Sequence, residues 1–302
     1  MRRLRLAVLL LTAGSFTAGC LKQIALGSVA NSLSSSGNGY ARDDDPELVR
    51  DSLPVVIKLM EQIHEALPKH QPLAVALTRT TTSYGVAFIE EDADRVEDKD
   101  VQAGKLLRNR AKRMFLRARG YGLDALELTL PGSRAALLGN DRDKRAAVLL
   151  RAKKSDVPAM YWLAAAWGSA IANAKDDMAL VGDLPVVAAL MKRALALDES
   201  YDEGSIHEFF ITYDASQGEG KAAAKKHFER AVELSHNKKL SPFVAYAEAV
   251  CVDSQDKKEF VRLLNQVLAF DVDSDLDHRL VNMLAQRRAR WLMSRIADLF
   301  AD

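Results

Sequence analysis

Histidine and cysteine are the side chains best suited to metal binding or covalent chemistry, and this 302-residue chain has few of them. The chain has no His-Glu-x-x-His motif, no Cys-x-x-Cys pair and no carboxylate at metal-ligand spacing from a histidine. The six histidines are scattered along the sequence: His64, His70, His207, His227, His236 and His278. We therefore predict no metal centre. Of the two cysteines, Cys251 lies in an apolar helical stretch without a neighbouring His or Lys, which predicts a buried, unreactive thiol.

Motifs for nucleophilic or phosphate chemistry are also missing. The sequence contains no Gly-x-Ser-x-Gly elbow, no phosphate-binding loop and no dinucleotide fingerprint. A run of hydroxyl side chains from Thr78 to Ser83 favours hydrogen bonds back to helix carbonyls four residues earlier over a polar binding site. We predict that the protein is not an enzyme, with no catalytic residues and no cofactor.

The other cysteine, Cys20, follows a segment with the three parts of an export signal. Three arginines precede an apolar run over residues 6–11, which is too short to span a bilayer, and small residues come next. Thr17-Ala18-Gly19-Cys20 resembles the lipobox of bacterial lipoproteins, in which the cysteine is acylated after cleavage. Two or three acyl chains make a lasting anchor. We predict a lipoprotein signal peptide over residues 1–19, lipidation of Cys20 and a lipidated tether over residues 20–44.

Large aromatic side chains lie on three predicted helices of the second half of the chain: two helices carry the candidate groove residues, and the third carries Phe243 and Tyr246. If paired helices stack as repeats, these helices line a concave groove, where aromatic side chains form an apolar pocket for a ligand or a partner side chain. The alternative is that most of these rings are core residues that fill repeat interfaces. The candidate groove residues are Tyr161, Trp162, Trp167, Phe209, Phe210 and Tyr213.

Helical spacing of apolar residues extends over the body of the chain, and no long segment alternates with the period of two that strands require. This pattern predicts an all-α fold. Asp45 before Pro46 predicts a helix start, because aspartate caps helices and proline suits their first position. Leu48, Val55 and Leu59 are among the apolar positions of that helix. A second helix, from Leu73 to about Ile89, is predicted to form a hairpin with it.

Internal repetition is the most informative feature of the second half. Ala194 aligns with Ala231 and Val267 at three predicted helix ends, with offsets of 37 and 36 residues. A helical hairpin with this period is similar to the tetratricopeptide repeat, whose period is about 34 residues. Gly168 is predicted to let paired helices approach closely. We predict one tetratricopeptide-like solenoid of helical hairpins over residues 45–302, with contacts mainly between neighbouring units.

The charges of the chain are nearly balanced, with a formal net charge of +1 that becomes −2 once residues 1–19 are removed. A near-neutral body argues against a general polyanion binder, and we predict no nucleic-acid partner. The stretch from Lys105 to Arg119 is basic without a single acid, and it follows the acidic stretch from Glu90 to Asp100. The favoured interpretation is that the two stretches neutralise each other. Docking of an acidic partner on the basic stretch is the alternative.

Several stretches, taken together, resemble one protein family. After the lipobox come a Ser/Gly-rich tether, a helix start at DDDPELV, the element Tyr84-Gly85-Val86-Ala87-Phe88 and an arginine-rich helix from Arg110 to Tyr121. This arrangement resembles the T component of tripartite ATP-independent periplasmic (TRAP) transporters. Gly85 and Gly120 stand where the family pattern usually has other residues.

The resemblance implies an exported helical lipoprotein without catalysis that works beside the periplasmic substrate-binding protein of a TRAP transporter. It implies a scaffold in the cell envelope, anchored at the periplasmic face, in the outer membrane, that helps to deliver or receive a small apolar ligand. A homo-oligomer is compatible with this role. Two alternatives remain, a general envelope-assembly adaptor and a lipid-carrying or pore-forming oligomer.

Overall fold

A computed structural model describes residues 26–35, 37–217 and 220–301, and within these ranges the regular structure is helical, without strands. The all-α prediction is confirmed. The predicted signal peptide and Cys20 lie outside the described residues. In the described part of the chain, no helix combines the length and the apolar character that crossing a bilayer requires.

The helices follow one another along the chain with short connections. Gly85–Glu90 and Ala247–Cys251 are π-helical. The α-helices are α1 (Gly37–Ala41), α2 (Pro46–Ala66), α3 (Gln71–Tyr84), α4 (Glu91–Glu97), α5 (Val101–Thr129), α6 (Ser133–Leu138), α7 (Arg142–Leu150), α8 (Val157–Ala172), α9 (Met178–Val181), α10 (Leu184–Leu197), α11 (Ser205–Ala215), α12 (Lys221–Leu234), α13 (Ser241–Tyr246), α14 (Lys257–Ala269), α15 (Arg279–Ser294) and α16 (Ile296–Leu299).

The start of α2 is fixed by its cap, as predicted. The Asp45 carboxylate accepts hydrogen bonds from the backbone N–H groups of Glu47 and Leu48, at 3.1 and 3.0 Å. These bonds satisfy amides that have no partner within the helix. Helix α3 then begins at Gln71 and continues into the π-helical segment, so the predicted hairpin is present.

Helix α2 has apolar residues on two faces, and one of these faces is exposed. Leu48, Val55 and Leu59 are 60%, 70% and 49% exposed. The buried face instead includes Ile57 and Met60, which join the core with α3. Apolar periodicity indicates a helix, but only the packing of neighbouring helices decides which of two apolar stripes is covered.

Helix α8 is the centre of the main apolar core and packs against α3, α5 and α10. Its approach to α5 is close, because a Cβ added to Gly122 of α5 would lie 3.0 Å from Cβ of Leu163. This core extends along the chain from Ala30 to Phe210. A second apolar core, from Leu240 to Phe300, holds α13, α14 and α15 together.

The packed body begins before residue 45, inside the region predicted as a tether. Residues 26–35 are helical, and Ala30 is completely buried in the main core. Asn31 Oδ1 lies 3.0 Å from His70 Nε2. Helix α1 also lies within this predicted tether and contacts α15. The Ser/Gly-rich composition therefore does not make the described part of this region a free linker.

The repeat spacing predicted from the sequence is visible in the helices. Helices α10, α12 and α14 begin at residues 184, 221 and 257. The aligned residues Ala194, Ala231 and Val267 are each completely or almost completely buried. Equivalent helices thus present equivalent small or apolar residues to the interior.

The last long helix returns to the first ones, so contacts are not confined to neighbouring units. Helix α15 contacts α1 and α2. Arginines of α15 form ion pairs with acids of the N-terminal third: Arg279 with Asp44 at 3.4 Å, Arg287 with Glu47 at 2.6 Å and Arg288 with Asp94 at 2.6 Å. These pairs lie outside the contacts between neighbouring units that were predicted to dominate, and they join opposite charges at the two ends of the chain. A tetratricopeptide-like solenoid remains an interpretation of the repeated hairpins.

Candidate functional site

Two of the six candidate groove residues are core residues. Trp167 of α8 has no exposed surface, and its indole Nε1–H donates to Asp183 Oδ2 at 3.1 Å. The Arg119 guanidinium lies 4.7 Å from the centre of the same ring. Phe210 of α11 is 3% exposed and stacks on the His227 ring at 5.0 Å. Neither ring is accessible to a ligand in this conformation.

The other four candidate residues keep part of their surface exposed. Tyr161 and Trp162 of α8 are in edge contact, with ring centres 5.1 Å apart. Phe209 and Tyr213 of α11 are stacked at 5.7 Å. These two aromatic pairs lie on the same two helices that the sequence selected, and their separation from the core rings was not predictable from spacing alone.

The partly exposed face of α8 is narrow and built from small residues after Tyr161. Ala165, Gly168 and Ala172 recur at helical spacing on this face, while the rest of the helix is largely buried. A Cβ added to Gly168 would lie 3.8 Å from Cε2 of Phe209 and 3.5 Å from Cγ1 of Val187. Gly168 therefore lies where α8, α10 and α11 meet. We use the name aromatic groove for the surface that carries the four partly exposed rings, Tyr161, Trp162, Phe209 and Tyr213.

A surface cavity of about 330 Å³ lies beside Tyr213, between α10 and the end of α11. Its other lining residues are Leu184, Pro185, Ala188, Ala189, Lys192 and Gln217. The volume is at the small end of the range of ligand sites, and the wall is mainly apolar with one cation and one amide. A second cavity, of about 230 Å³, lies elsewhere, between residue 34, α3 and the start of α8.

A polar cluster lies beside the Tyr161 hydroxyl. The Ser241 hydroxyl donates to Glu208 Oε2 at 2.9 Å, and the buried Lys239 ammonium binds Asp202 Oδ2 at 3.0 Å. Burial raises the pKa of the Glu208 carboxyl, and it raises the pKa of the Tyr161 hydroxyl well above its usual value. These groups keep some exposed surface, yet their protonation is governed by burial, as expected for side chains that line a recess.

A second polar cluster lies at the other end of α8, and the sequence analysis did not single it out. Asn173 Nδ2 donates to Glu90 Oε1 at 2.5 Å and to the Ser169 carbonyl at 2.8 Å. The Asn173 Oδ1 atom is buried without a hydrogen-bond partner in the described part of the chain. Burial raises the pKa of the Glu90 carboxyl to about 7. The signal available in the sequence was only the acidic stretch that Glu90 begins.

Two histidines pair between α11 and α12. His207 Nδ1 and His227 Nδ1 are 2.7 Å apart, while the opposite ring edges face Glu199 at 3.2 Å and Asp214 at 3.5 Å. The carboxylates therefore do not converge with the two facing nitrogens on a single point. Among the residues that the structure describes, no three His, Cys, Asp or Glu side chains are grouped as metal ligands. Burial lowers the pKa of both histidines.

The basic stretch on α5 is partly neutralised, as the favoured interpretation predicted. Arg108 forms ion pairs with Asp94 and Glu97 of the acidic stretch, each at 2.6 Å. Other cations of the helix reach acids elsewhere: Lys112 binds Asp177, Arg117 binds Glu61 and Arg119 binds Asp183. The acids that neutralise α5 thus come from several helices, not from α4 alone.

Two smaller predictions are confirmed by local contacts. The hydroxyls of Thr78 and Thr82 each donate to the carbonyl four residues earlier, at 2.7 Å. Cys251 is a free, buried thiol, and burial raises its pKa to about 12. The threonine run is therefore part of the helix interior, and the thiol is protonated at ordinary pH.

The residues that carried the family resemblance build the framework around the groove. Tyr84 and Phe88 are buried, with ring centres 5.5 Å apart, at the junction of α3 and the π-helical segment. Tyr121 donates to Glu61 Oε1 at 2.7 Å and so ties α5 to α2. These residues stabilise helix packing and do not face the groove.

Comparison with known proteins agrees with this framework. A family model described as TRAP transporter T-component matches residues 42–300. An uncharacterized protein of Treponema pallidum (strain Nichols) is 29% identical over 304 residues, covering 94% of each chain. The matched family is a component of a transporter and not an enzyme family. The chain therefore belongs to the TRAP transporter T-component family.

Proposed function

We propose that this protein is a lipid-anchored scaffold that docks the substrate-binding protein of a TRAP transporter and offers the aromatic groove to a small apolar ligand. Membership of the family gives a TRAP-associated role in the cell envelope. Docking, ligand binding, an outer-membrane location and a homo-oligomeric state are the proposed refinements.

The aromatic groove is the observation that supports the proposal best. Phe209 and Tyr213 are stacked and partly exposed, and an apolar cavity adjoins Tyr213. Exposed aromatic rings on rigid helices are typical anchors for partner side chains and apolar ligands, because they bury a large area at a small cost in side-chain entropy.

The groove is tested with Phe209→Ala and Tyr213→Ala, using Trp167→Ala as the matched core control. Loss of an exposed anchor should weaken binding by about 1 to 4 kcal/mol. Loss of the buried Trp167 ring should instead lower the free energy of unfolding by about 3 to 5 kcal/mol. Thermal unfolding is measured beside binding of the purified substrate-binding protein and of the apolar dye anilinonaphthalene sulfonate. Unchanged binding of both by the folded Phe209→Ala and Tyr213→Ala variants would exclude the groove.

The lipid anchor at Cys20 follows from the sequence and is separable from the groove. Within the described residues no helix is suited to span a membrane, so Cys20→Ser is expected to release the protein from the membrane fraction. Persistence of Cys20→Ser in salt-washed membranes would contradict lipid anchoring.

A further inference from the structure

The outward face of α5 forms a basic stripe along the surface of the molecule. Exposed residues recur there at helical spacing, and no acidic side chain interrupts them between Val101 and Arg119. We call this face the basic stripe and define it by Gln102, Lys105, Leu106, Arg110, Arg113 and Arg117. From Gln102 to Arg117 it runs for about 22 Å, the rise of 15 helical residues.

Three cations of the basic stripe lack the partners that their neighbours on α5 have. The half-buried Arg108 binds two carboxylates of the same chain, and Lys112 binds Asp177. Lys105, Arg110 and Arg113 are exposed, and no ion pair or hydrogen bond joins their side chains to a described residue. Arg108 thus holds carboxylates of the same chain, whereas Arg110 and Arg113 have no carboxylate partner among the described residues.

Carboxylates are acceptors that fit the free donors well. A guanidinium presents its N–H groups in a rigid fork that matches a carboxylate in two parallel hydrogen bonds. Arg110 and Arg113 are three residues apart and are therefore neighbours on the helix surface. Their like charges repel each other, so an incoming pair of carboxylates relieves that repulsion while it forms the bonds.

A protein surface fits the basic stripe better than a membrane does. Helices that lie on membranes need a continuous apolar face, and the apolar face of α5 is buried in the core through Phe115 and Leu126. Leu106 is 70% exposed beside the cations. Arginine combined with an isolated apolar side chain is characteristic of protein interfaces.

We propose that the basic stripe docks an acidic surface of the TRAP substrate-binding protein. Arg110 and Arg113 pair with carboxylates of that partner, and Leu106 packs in the centre of the contact. This inference rests on the proposed function, because it names the surface used for the same partner. The stripe lies on α5 and the aromatic groove on α8 and α11, so variants test the two surfaces separately.

The test compares two double charge reversals in the full chain, solubilised in detergent, with purified substrate-binding protein in biolayer interferometry. Arg110→Glu with Arg113→Glu is expected to weaken binding by about tenfold or more, because like charges then face each other. The salt dependence of the affinity should also flatten. The control is Lys257→Glu with Lys258→Glu, two exposed cations in the first turn of α14. Acids suit a helix N-terminus, so this control should bind within about twofold of the wild type.

A milder variant separates loss of charge from loss of fold. Arg110→Gln with Arg113→Gln removes the charges without reversal and is expected to bind with an intermediate affinity, and circular dichroism melting establishes that each variant is folded. Wild-type affinity and salt dependence in the reversal variant would overturn the basic stripe and leave the partner proposal intact. Absence of binding by the wild type would overturn both. If the reversal variant lost only binding to phosphatidylglycerol vesicles, the stripe would be a membrane contact and not the docking surface.

Discussion

Gly85 and Gly120 both lie within helical segments, but their surroundings differ. A Cβ added to Gly85 would lie 2.5 Å from Cε1 of Phe115, whose ring is completely buried. A Cβ added to Gly120 would have nothing within 4 Å. The ring of Phe115 thus occupies the space that a side chain at residue 85 would need, whereas residue 120 is unconstrained.

Alanine at these two positions should change stability in opposite directions. Gly85→Ala is expected to lower the free energy of unfolding by about 1 to 3 kcal/mol, because the buried ring must move. Gly120→Ala is expected to raise it by about 0.5 to 1 kcal/mol, because alanine favours the helix over the unfolded chain. Denaturant unfolding measures both. Equal stability of the two variants would contradict the close packing at Gly85.

The buried carboxyl of Glu90 makes the free energy of unfolding depend on pH. Burial raises its pKa in the folded state to about 7, while the unfolded value is near 4.5. Between these values the folded state binds more protons than the unfolded state, so stability due to this group falls as pH rises. His207 and His227 act in the opposite direction, because their pKa values are lowered in the folded state.

Replacing Glu90 by glutamine isolates its contribution. In the wild type, this carboxyl should lower the free energy of unfolding by roughly 2 to 3 kcal/mol as pH rises from about 5 to 8, because each pKa unit corresponds to about 1.4 kcal/mol. Glu90→Gln should abolish this decrease. The variant should therefore gain stability relative to the wild type as pH rises. Unfolding curves at several pH values provide the measurement, and a difference that stays constant with pH would contradict burial of this carboxyl.

At the scale of elements, α15 joins the two ends of the fold through Arg288. Arg288 binds Asp94 at the end of the N-terminal third and Glu248 of the second π-helical segment. Its guanidinium also lies 4.1 Å from the Trp291 ring centre. Arg42 and Asp277 form another contact between the ends, but their side chains are 61% and 66% exposed.

Removing Arg288 should destabilise the fold more than removing Arg42, because the ion pairs of Arg288 are less exposed. Arg288→Met leaves Glu248 without its cation and Asp94 with Arg108 alone, and it should lower the free energy of unfolding by about 2 to 4 kcal/mol. Arg42→Ala should remain within about 0.5 kcal/mol of the wild type, because water and salt already screen an exposed pair. Both are measured by denaturant unfolding. A similar small cost for both would show that α15 is held by its leucines instead.

A structural element can be predicted from the sequence when the residues that determine it are close together along the chain. Asp45 and Pro46 act on adjacent backbone amides, so the start of α2 was predictable. The contact between Glu47 and Arg287 spans 240 residues, and no local pattern encodes it. The sequence likewise does not tell whether Leu48 is buried or exposed, because α2 carries apolar residues on two faces and the neighbouring helices decide which face they cover.

The aromatic groove shows the same dependence on contacts between residues that are distant in the sequence. The aromatic residues were correctly grouped on two helices, because spacing within one helix is local. Whether a ring faces the core or the surface depends on the partner helices, and Trp167 became a core residue through Asp183 and Arg119. Glu90 and Asn173 were missed because they are 83 residues apart and neither belongs to a known motif.

At the scale of the whole molecule, two apolar cores are joined through the hairpin of α11 and α12. The buried residues of the main core end with Phe210, although Leu280 and Leu284 of α15 also pack against that core. Phe228 of α12 packs against the second core. Charged and polar contacts, such as Ser241 with Glu208 and Arg288 with Asp94, connect the two regions around this hairpin. The second core is therefore the region where local opening has the fewest apolar contacts to break.

The reactivity of the buried Cys251 thiol reports the local opening of the second core. It is the free cysteine of the described residues, it belongs to the second core, and it lies three residues from Glu248, the partner of Arg288. A thiol reagent can react with Cys251 only after this region opens and the thiol loses its proton. Its rate of reaction at fixed pH thus measures how often the C-terminal third opens, from a single sulfur atom among the described residues.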